Sequence, residues 1–101
     1  MGRTLVHPSI QDITIDGILY ALSDPERRLI LKKLIDSKGI NCSEACKSKL
    51  SPSTMSFHFK ILRENGLIFS EKKGVEVINT SRKSDVDKRF PGLLNNILKY
   101  S

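Results

Sequence analysis

The chain has 101 residues, of which 39% are hydrophobic and 28% are charged, and its formal net charge is +6. This length and composition predict one compact domain over residues 1–101 and argue against a disordered chain. Two cysteines are too few for a disulfide scaffold, and no apolar run approaches the roughly 18–20 residues that span a bilayer. We therefore expect a cytoplasmic protein with no membrane partner. The excess of basic residues predicts a polyanionic partner.

Residues 11–22, QDITIDGILYAL, predict the first helix. Gly17 weakens helical propensity, but the apolar residues recur at helical spacing. That stripe consists of Ile15, Ile18, Leu19 and Leu22.

A second helix follows directly. Asp24 is a predicted N-cap, Pro25 takes the first helical position, and Gly39 is the predicted C-cap. Its predicted apolar stripe is Leu29, Ile30, Leu34 and Ile35. Its predicted basic face is Arg27, Arg28, Lys32 and Lys33.

A short helix over about 43–49 and a tight connection lead to a third long helix. Ser51 and Pro52 repeat the cap-then-proline signal, and Gly66 predicts the stop, so this helix should cover about 52–65.

The last third of the sequence predicts a hairpin and a final helix. Two β-prone runs over 67–80 flank Glu71-Lys72-Lys73-Gly74, which we predict to be the turn. Residues 84–99 predict a helical stretch that Pro91 breaks or restarts. Its apolar stripe is Leu93, Leu94, Ile97 and Leu98. Helices with a tight turn before the third, followed by a two-stranded hairpin, predict a mainly α winged helix-turn-helix.

The helix at 52–65 has two unlike faces. With about 100° per residue, Met55, Phe59 and Leu62 form a core stripe, while Phe57 points almost directly away from it. A phenyl ring that points away from the core is explained if this helix lies in a DNA major groove, where the ring can pack on a thymine methyl group. If the helix does not bind DNA, Phe57 is an incidental surface aromatic or packs against a neighbouring segment. Ser53, Ser56, Lys60 and Glu64 share its side of the helix.

Several polar residues are candidates for DNA contact. Ser53 and Ser56 suit a base edge or a phosphate, and Lys60 reaches the backbone. Lys72 and Lys73 at the predicted hairpin tip suit the minor groove or flanking phosphates. Arg82 and Lys83 are candidates for further backbone contacts, although each such lysine or arginine is also compatible with a solvated charge. Ser51 is interpreted as a cap and His58 as a packing residue.

Two motifs resemble those of the ArsR family of winged-helix repressors. They are ALSDPERRLILKKLI at 21–35 and LSPSTMSFHFKILRENGLI at 50–68, and the similarity covers about residues 15–80. The resemblance implies a homodimer that pairs through its first and last helices and represses by occupying a palindromic site on double-stranded DNA. By motif position, it also places Ser53, Thr54, Ser56 and Phe57 at the DNA.

The sequence departs from the family at two points. Many relatives carry Arg or His at the position of Phe57, so a different base preference is expected. Metal-sensing relatives carry Cys-x-Cys where this chain has Cys42 and Cys46 four residues apart. No His- or carboxylate-rich segment lies near the last helix, and His7 and His58 are the only histidines, so we predict no metal, no cofactor and no evident small-molecule effector. The tail at 85–98 resembles a branch that does not sense metals.

Two other functions remain to be weighed. A winged helix also serves as a protein-interaction module, in which Phe57 would be an anchor in a partner's pocket. An enzyme is not expected, because the sequence has no nucleophile elbow, no glycine-rich phosphate loop and no cluster of metal ligands.

Overall fold

A computed structural model describes residues 3–37, 40–41 and 51–101. The first part contains β1 (Arg3–Thr4), a 3₁₀ helix (Ile10–Asp12), α1 (Ile15–Ala21), α2 (Pro25–Ile35) and β2 (Ile40–Asn41). The second contains α3 (Pro52–Glu64), β3 (Ile68–Lys73), β4 (Glu76–Ser81), α4 (Lys83–Arg89) and α5 (Leu93–Leu98). The predicted helix at 43–49 and both cysteines, Cys42 and Cys46, lie outside the described residues. None of the described helices is long and apolar enough to span a bilayer.

The first predicted helix is shorter than expected. The chain is extended at Ile13, whose side chain is only 1% exposed, and α1 begins at Ile15. Thr14 causes this start, because its Oγ1 accepts a hydrogen bond from the Gly17 amide at 3.0 Å. Within α1, Ile18 is fully buried, whereas Ile15 and Leu19 are 42% and 51% exposed.

Helix α2 begins as predicted, and its N-cap is confirmed. Oδ1 of Asp24 accepts from the amide of Glu26 at 2.8 Å, and Pro25 takes the first position. The helix ends at Ile35 with Asp36 as its C-cap, so the prediction of Gly39 as C-cap is wrong.

The buried face of α2 is rotated from the predicted one. The residues that face inward are Arg27, Ile30, Leu31 and Leu34, at helical spacing. The prediction was therefore wrong for Leu29, which is 45% exposed, and for Arg27, which is 6% exposed.

Strands β3 and β4 form the predicted antiparallel hairpin, but its turn lies further along the chain. Lys73 pairs with Glu76, so the turn is Gly74-Val75 rather than residues 71–74. Gly74 has φ +63°, and Val75 has no positive φ, as in a type II′ turn. Two short strands that were not predicted extend the sheet to the order β1-β3-β4-β2.

The final helical stretch is divided, and the predicted break at Pro91 is confirmed. Helix α4 ends at Arg89, and α5 begins after Gly92, whose φ of +81° suits a glycine. Leu94 is fully buried and Leu98 is 8% exposed, and both pack in the hydrophobic core together with residues of the other helices. Leu93 and Ile97 are only partly buried against that core.

The segment before the 3₁₀ helix is held against the hairpin by a histidine. Nε2 of His7 accepts a hydrogen bond from the Ser70 amide at 2.8 Å, and its ring stacks on Phe69 with centroids 4.5 Å apart. The guanidinium of Arg82 donates to the Pro8 carbonyl at 2.8 Å. Burial lowers the pKa of His7. A hydrogen bond with the Leu5 backbone opposes this shift, and the positive charges of Arg82 and Arg63 add smaller contributions that lower the pKa further.

Protonation of His7 should therefore weaken the fold. Because the pKa of His7 is lower in the folded state, neutral His7 stabilises the fold fully above its unfolded pKa, near 6.5. This stabilisation is lost as the pH falls below that value. We expect the free energy of unfolding in urea to fall more between about pH 7.5 and 5.5 for the native chain than for His7→Gln, whose carbonyl oxygen accepts the Ser70 hydrogen bond without titrating. Equal pH dependence of the two proteins would contradict this assignment.

Candidate nucleic-acid interface

Both ends of α3 are fixed by local hydrogen bonds. Oγ of Ser51 accepts from the Thr54 amide at 3.2 Å, which confirms Ser51 as the N-cap, and Pro52 takes the first helical position. At the other end, the amide of Leu67 donates to the Leu62 carbonyl at 3.0 Å, and the amide of Gly66 donates to the Arg63 carbonyl at 3.1 Å. With φ +80° at Gly66, this is a Schellman motif, as the predicted stop required.

The two predicted faces of α3 are present. Met55, Phe59 and Leu62 are between 0% and 6% exposed and pack in the core. On the opposite side, Phe57 is 52% exposed. Ser53, Ser56, Lys60 and Glu64 are also exposed, and Thr54 is half-buried. The surface around Phe57 is therefore open to solvent, as contact with another molecule requires.

A buried arginine positions the inner side of α3. Nε of Arg27 donates to the Ala21 carbonyl at 2.6 Å, and Nη2 donates to the Tyr20 carbonyl at 3.4 Å. Nη1 lies 3.3 Å from Nδ1 of His58, which is 7% exposed. Because a guanidinium cannot accept, Nδ1 must be the acceptor, and the proton of the neutral ring is on Nε2. His58 is thus the packing residue that the sequence indicated.

A groove of about 300 Å³ runs between α3 and the sheet. Ser56, Lys60 and Arg63 line its helical side at positions i, i+4 and i+7, and Val77 and Asn79 of β4 line the other side. Arg63 was missing from the sequence-based candidates, although its seven-residue spacing from Ser56 places it on the same stripe. Two long cationic side chains therefore follow one edge of the exposed face.

The hairpin lysines lie on different faces of the sheet. Lys72 pairs with Val77, which lines the groove, so Lys72 extends the same face toward the turn. Lys73 is on the opposite face, where its ammonium lies 3.5 Å from the carboxylate of Glu71. Both lysines are exposed to solvent.

Arg82 does not join this surface. Its side chain is 10% exposed, and Nε donates to Asp85 at 3.1 Å while Nη1 holds the Pro8 carbonyl. Lys83 is likewise paired, with its ammonium 2.6 Å from the Asp87 carboxylate. The expectation of DNA contact for Arg82 therefore conflicts with the structure, which uses its guanidinium to join the N-terminal segment to α4.

Comparison with known proteins agrees with this architecture. Residues 24–70 match the family model described as bacterial regulatory protein, arsR family. An uncharacterized HTH-type transcriptional regulator of Bacillus subtilis (strain 168), YceK, is 33% identical over 82 residues, which are 79% of this chain and 82% of that protein. The chain belongs to the ArsR family. It is therefore a DNA-binding HTH transcriptional regulator, and the family resemblance seen in the sequence is confirmed.

Further relatives of this ArsR family member extend the comparison. The nodulation protein NolR of Rhizobium meliloti is 33% identical over 81 residues, covering 80% of this chain and 66% of NolR. An ArsR-like transcriptional regulator from Rhodococcus sp. RHA1 has a TM-score of 0.64 at 24% identity, over 84% of this chain and 80% of that one. A crystal structure of another ArsR family regulator has a TM-score of 0.67 at 20% identity, over 95% and 99% of the two chains. These two structures confirm the winged helix-turn-helix fold.

The position of α3 should depend on the forked shape of the Arg27 side chain. Arg27→Lys keeps the positive charge but cannot reach the Ala21 and Tyr20 carbonyls and His58 together. We expect the free energy of unfolding, measured by urea denaturation, to fall by about 1–3 kcal/mol. Lys33→Arg, an exposed change on the same helix, is the control and should have no effect. If Arg27→Lys is as stable as the native chain, the guanidinium does not hold these helices together.

Proposed function

We propose that this regulator represses transcription as a homodimer that occupies a palindromic promoter site, with one α3 helix in the major groove of each half-site. The observation that carries the proposal is the open face of α3 around Phe57, which lies directly opposite a fully packed core face. A two-fold dimer places its two reading helices about one DNA turn, roughly 34 Å, apart, so a palindrome matches it.

The exposed residues of α3 divide into two chemical groups. Phe57 and Ser56 are the proposed base contacts, with the phenyl ring against a thymine methyl group and the hydroxyl on a base edge. Ser53 and Thr54 lie in the first turn, where the helix dipole favours a phosphate and their hydroxyl groups can donate to it. The second group would supply affinity, and the first would supply the choice of sequence.

The cationic side chains beside the groove are the proposed phosphate contacts. Lys60 and Arg63 follow α3, and Lys72 continues the same surface onto the sheet. Lys73 flanks the turn and suits a neighbouring phosphate or the minor groove. Arg82 is excluded from this proposal because its guanidinium is already bound within the chain. Each phosphate contact that releases a counterion makes binding more sensitive to salt.

For the dimer contact, we propose the exposed apolar side of α1. Ile15 and Leu19 are four residues apart, so they share one face of the helix, and about half of each side chain is in contact with solvent. Leu93 and Ile97 of α5 are the partly buried residues that suit the same contact. Leu94 is fully buried in its own chain and is not available.

Replacing Phe57 should reduce sequence discrimination more than general DNA affinity. For Phe57→Ala, we expect the preference for a selected operator over random DNA to fall by about 1–3 kcal/mol, the usual range for one recognised base pair. Fluorescence anisotropy with both DNAs at fixed salt measures this difference. An equal loss on both DNAs would exclude direct base contact. Unchanged binding to both would favour the alternative in which Phe57 anchors a partner protein.

The matched control changes phosphate contacts alone. Lys72→Ala with Lys73→Ala should weaken binding to the operator and to random DNA by similar factors and should reduce the slope of log affinity against log salt. An unchanged slope would place the hairpin away from the DNA.

Charges on α1 should separate the protomers without unfolding them. For Ile15→Glu with Leu19→Glu, we expect a folded monomer by circular dichroism and light scattering, because both side chains are exposed. This monomer should fail to repress run-off transcription from an operator-bearing promoter. Leu29→Glu, a similarly exposed leucine on α2, is the control and should remain dimeric. A dimer that persists after the double change would move the interface elsewhere.

A further inference from the structure

Helix α1 lies against the end of α3 at a position that has no side chain. Gly17 of α1 approaches Asn65, the C-cap of α3, so closely that a Cβ atom at position 17 would lie 2.6 Å from Oδ1 of Asn65. The same Cβ would lie 3.1 Å from Oγ1 of Thr14, which accepts the hydrogen bond of the Gly17 amide at the start of α1. The close approach of the two helices therefore requires glycine here.

A second contact of the same kind lies beside the first. Gly66 follows Asn65 in the chain, and a Cβ atom on Gly66 would lie 2.5 Å from Cγ1 of Ile13. Ile13 is 1% exposed and belongs to the hydrophobic core. Two glycines, one in each segment, thus allow the chain at 13–17 to lie directly on the end of α3.

The Asn65 side chain is held in place on the α3 side of this contact. Its Nδ2 donates to the Ile61 carbonyl at 2.8 Å, and the residue is half-buried. A methyl group at position 17 must displace this side chain or move α1 away from α3 before the contact becomes an ordinary one of 3.4 Å or more. Because displacement of the side chain costs it a hydrogen bond, α1 takes up part of the change.

The opposite side of α1 carries the contact proposed above for the dimer. At about 100° per residue, Gly17 lies about 160° around the helix from both Ile15 and Leu19. Helix α1 is therefore a single layer between the end of α3 and the partner protomer. Two-fold symmetry applies any shift of α1 in both protomers, so such a shift changes the separation of the two α3 helices.

We propose that Gly17 is a positioning residue for DNA binding, because its missing side chain sets the distance between the dimer contact and α3. This inference rests on the proposed homodimer that pairs through α1. The two half-sites of a palindrome are separated by about one DNA turn, roughly 34 Å, so a pair of reading helices with a changed separation fits both half-sites less well. Binding to a single half-site needs no such match.

Gly17→Ala tests this inference, because Gly17 has no positive φ and alanine favours a helical backbone. The measurement compares the affinity for a selected full palindrome with that for a DNA of equal length in which one half-site is scrambled. We expect Gly17→Ala to reduce the ratio of these affinities by about three- to tenfold, the effect of a modest coupling between contacting residues, and to leave the affinity for the half-site DNA unchanged. Fluorescence anisotropy measures both affinities, and light scattering should still show a dimer.

Asn65→Ala is the matched second variant. Alone it should leave the ratio at the native value, and combined with Gly17→Ala it should restore that value, because the methyl group then has room. An unchanged ratio in Gly17→Ala, a double variant as defective as Gly17→Ala, or loss of the dimer in Gly17→Ala would each overturn the inference. A native chain that binds the full palindrome no better than the half-site DNA would contradict the proposed homodimer itself, and the inference with it, so the two failures are distinguishable.

Discussion

The guanidinium of Arg27 fixes the relation between three helices, and the exposed face of α3 depends on that relation. A charged group is costly to remove from water unless hydrogen bonds replace its hydration. The replacements here are the Ala21 and Tyr20 carbonyls, at the negative end of the α1 dipole, and Nδ1 of His58. One side chain on the first turn of α2 thus joins the last turn of α1 to the middle of α3. The outer face of α3 points in a defined direction because its inner face is held in this way.

Local hydrogen bonds complete the positioning of α3. The Ser51 cap and the Schellman motif at Gly66 satisfy backbone groups at the two ends, and the core stripe holds the middle. Ser56, Phe57 and Lys60 are exposed on the side of the helix away from that core stripe.

The sequence predicted those features whose causes are local. Asp24, Ser51 and Gly66 act on backbone groups a few residues away, so their positions alone indicated where α2 and α3 begin or end. The faces of α3 followed from helical periodicity. Arg27 was assigned to the solvent side because a charged residue is normally exposed, and its burial depends on His58, which is distant in sequence.

Features that depend on distant partners were not predictable in the same way. Strands β1 and β2 have two residues each, too few to show an alternating pattern, and they exist because β3 and β4 pair with them. The apolar stripe of the final helix was predicted, but periodicity alone could not tell that Leu94 packs within its own chain. Arg63 shares the helical spacing of Ser56 and Lys60, but the groove that it lines was visible only once Val77 of β4 was located opposite these residues.

The two short outer strands also limit how these molecules meet one another. A β-hairpin whose two edges are unpaired exposes backbone amides and carbonyls that can pair with strands of other molecules. In this sheet β1 lies along β3 and β2 along β4, and the His7 ring accepts the Ser70 amide just beyond the end of β1. The strands left outermost are too short to template further pairing. Contacts that other molecules make with this hairpin are therefore left to side chains and not to exchange of strands.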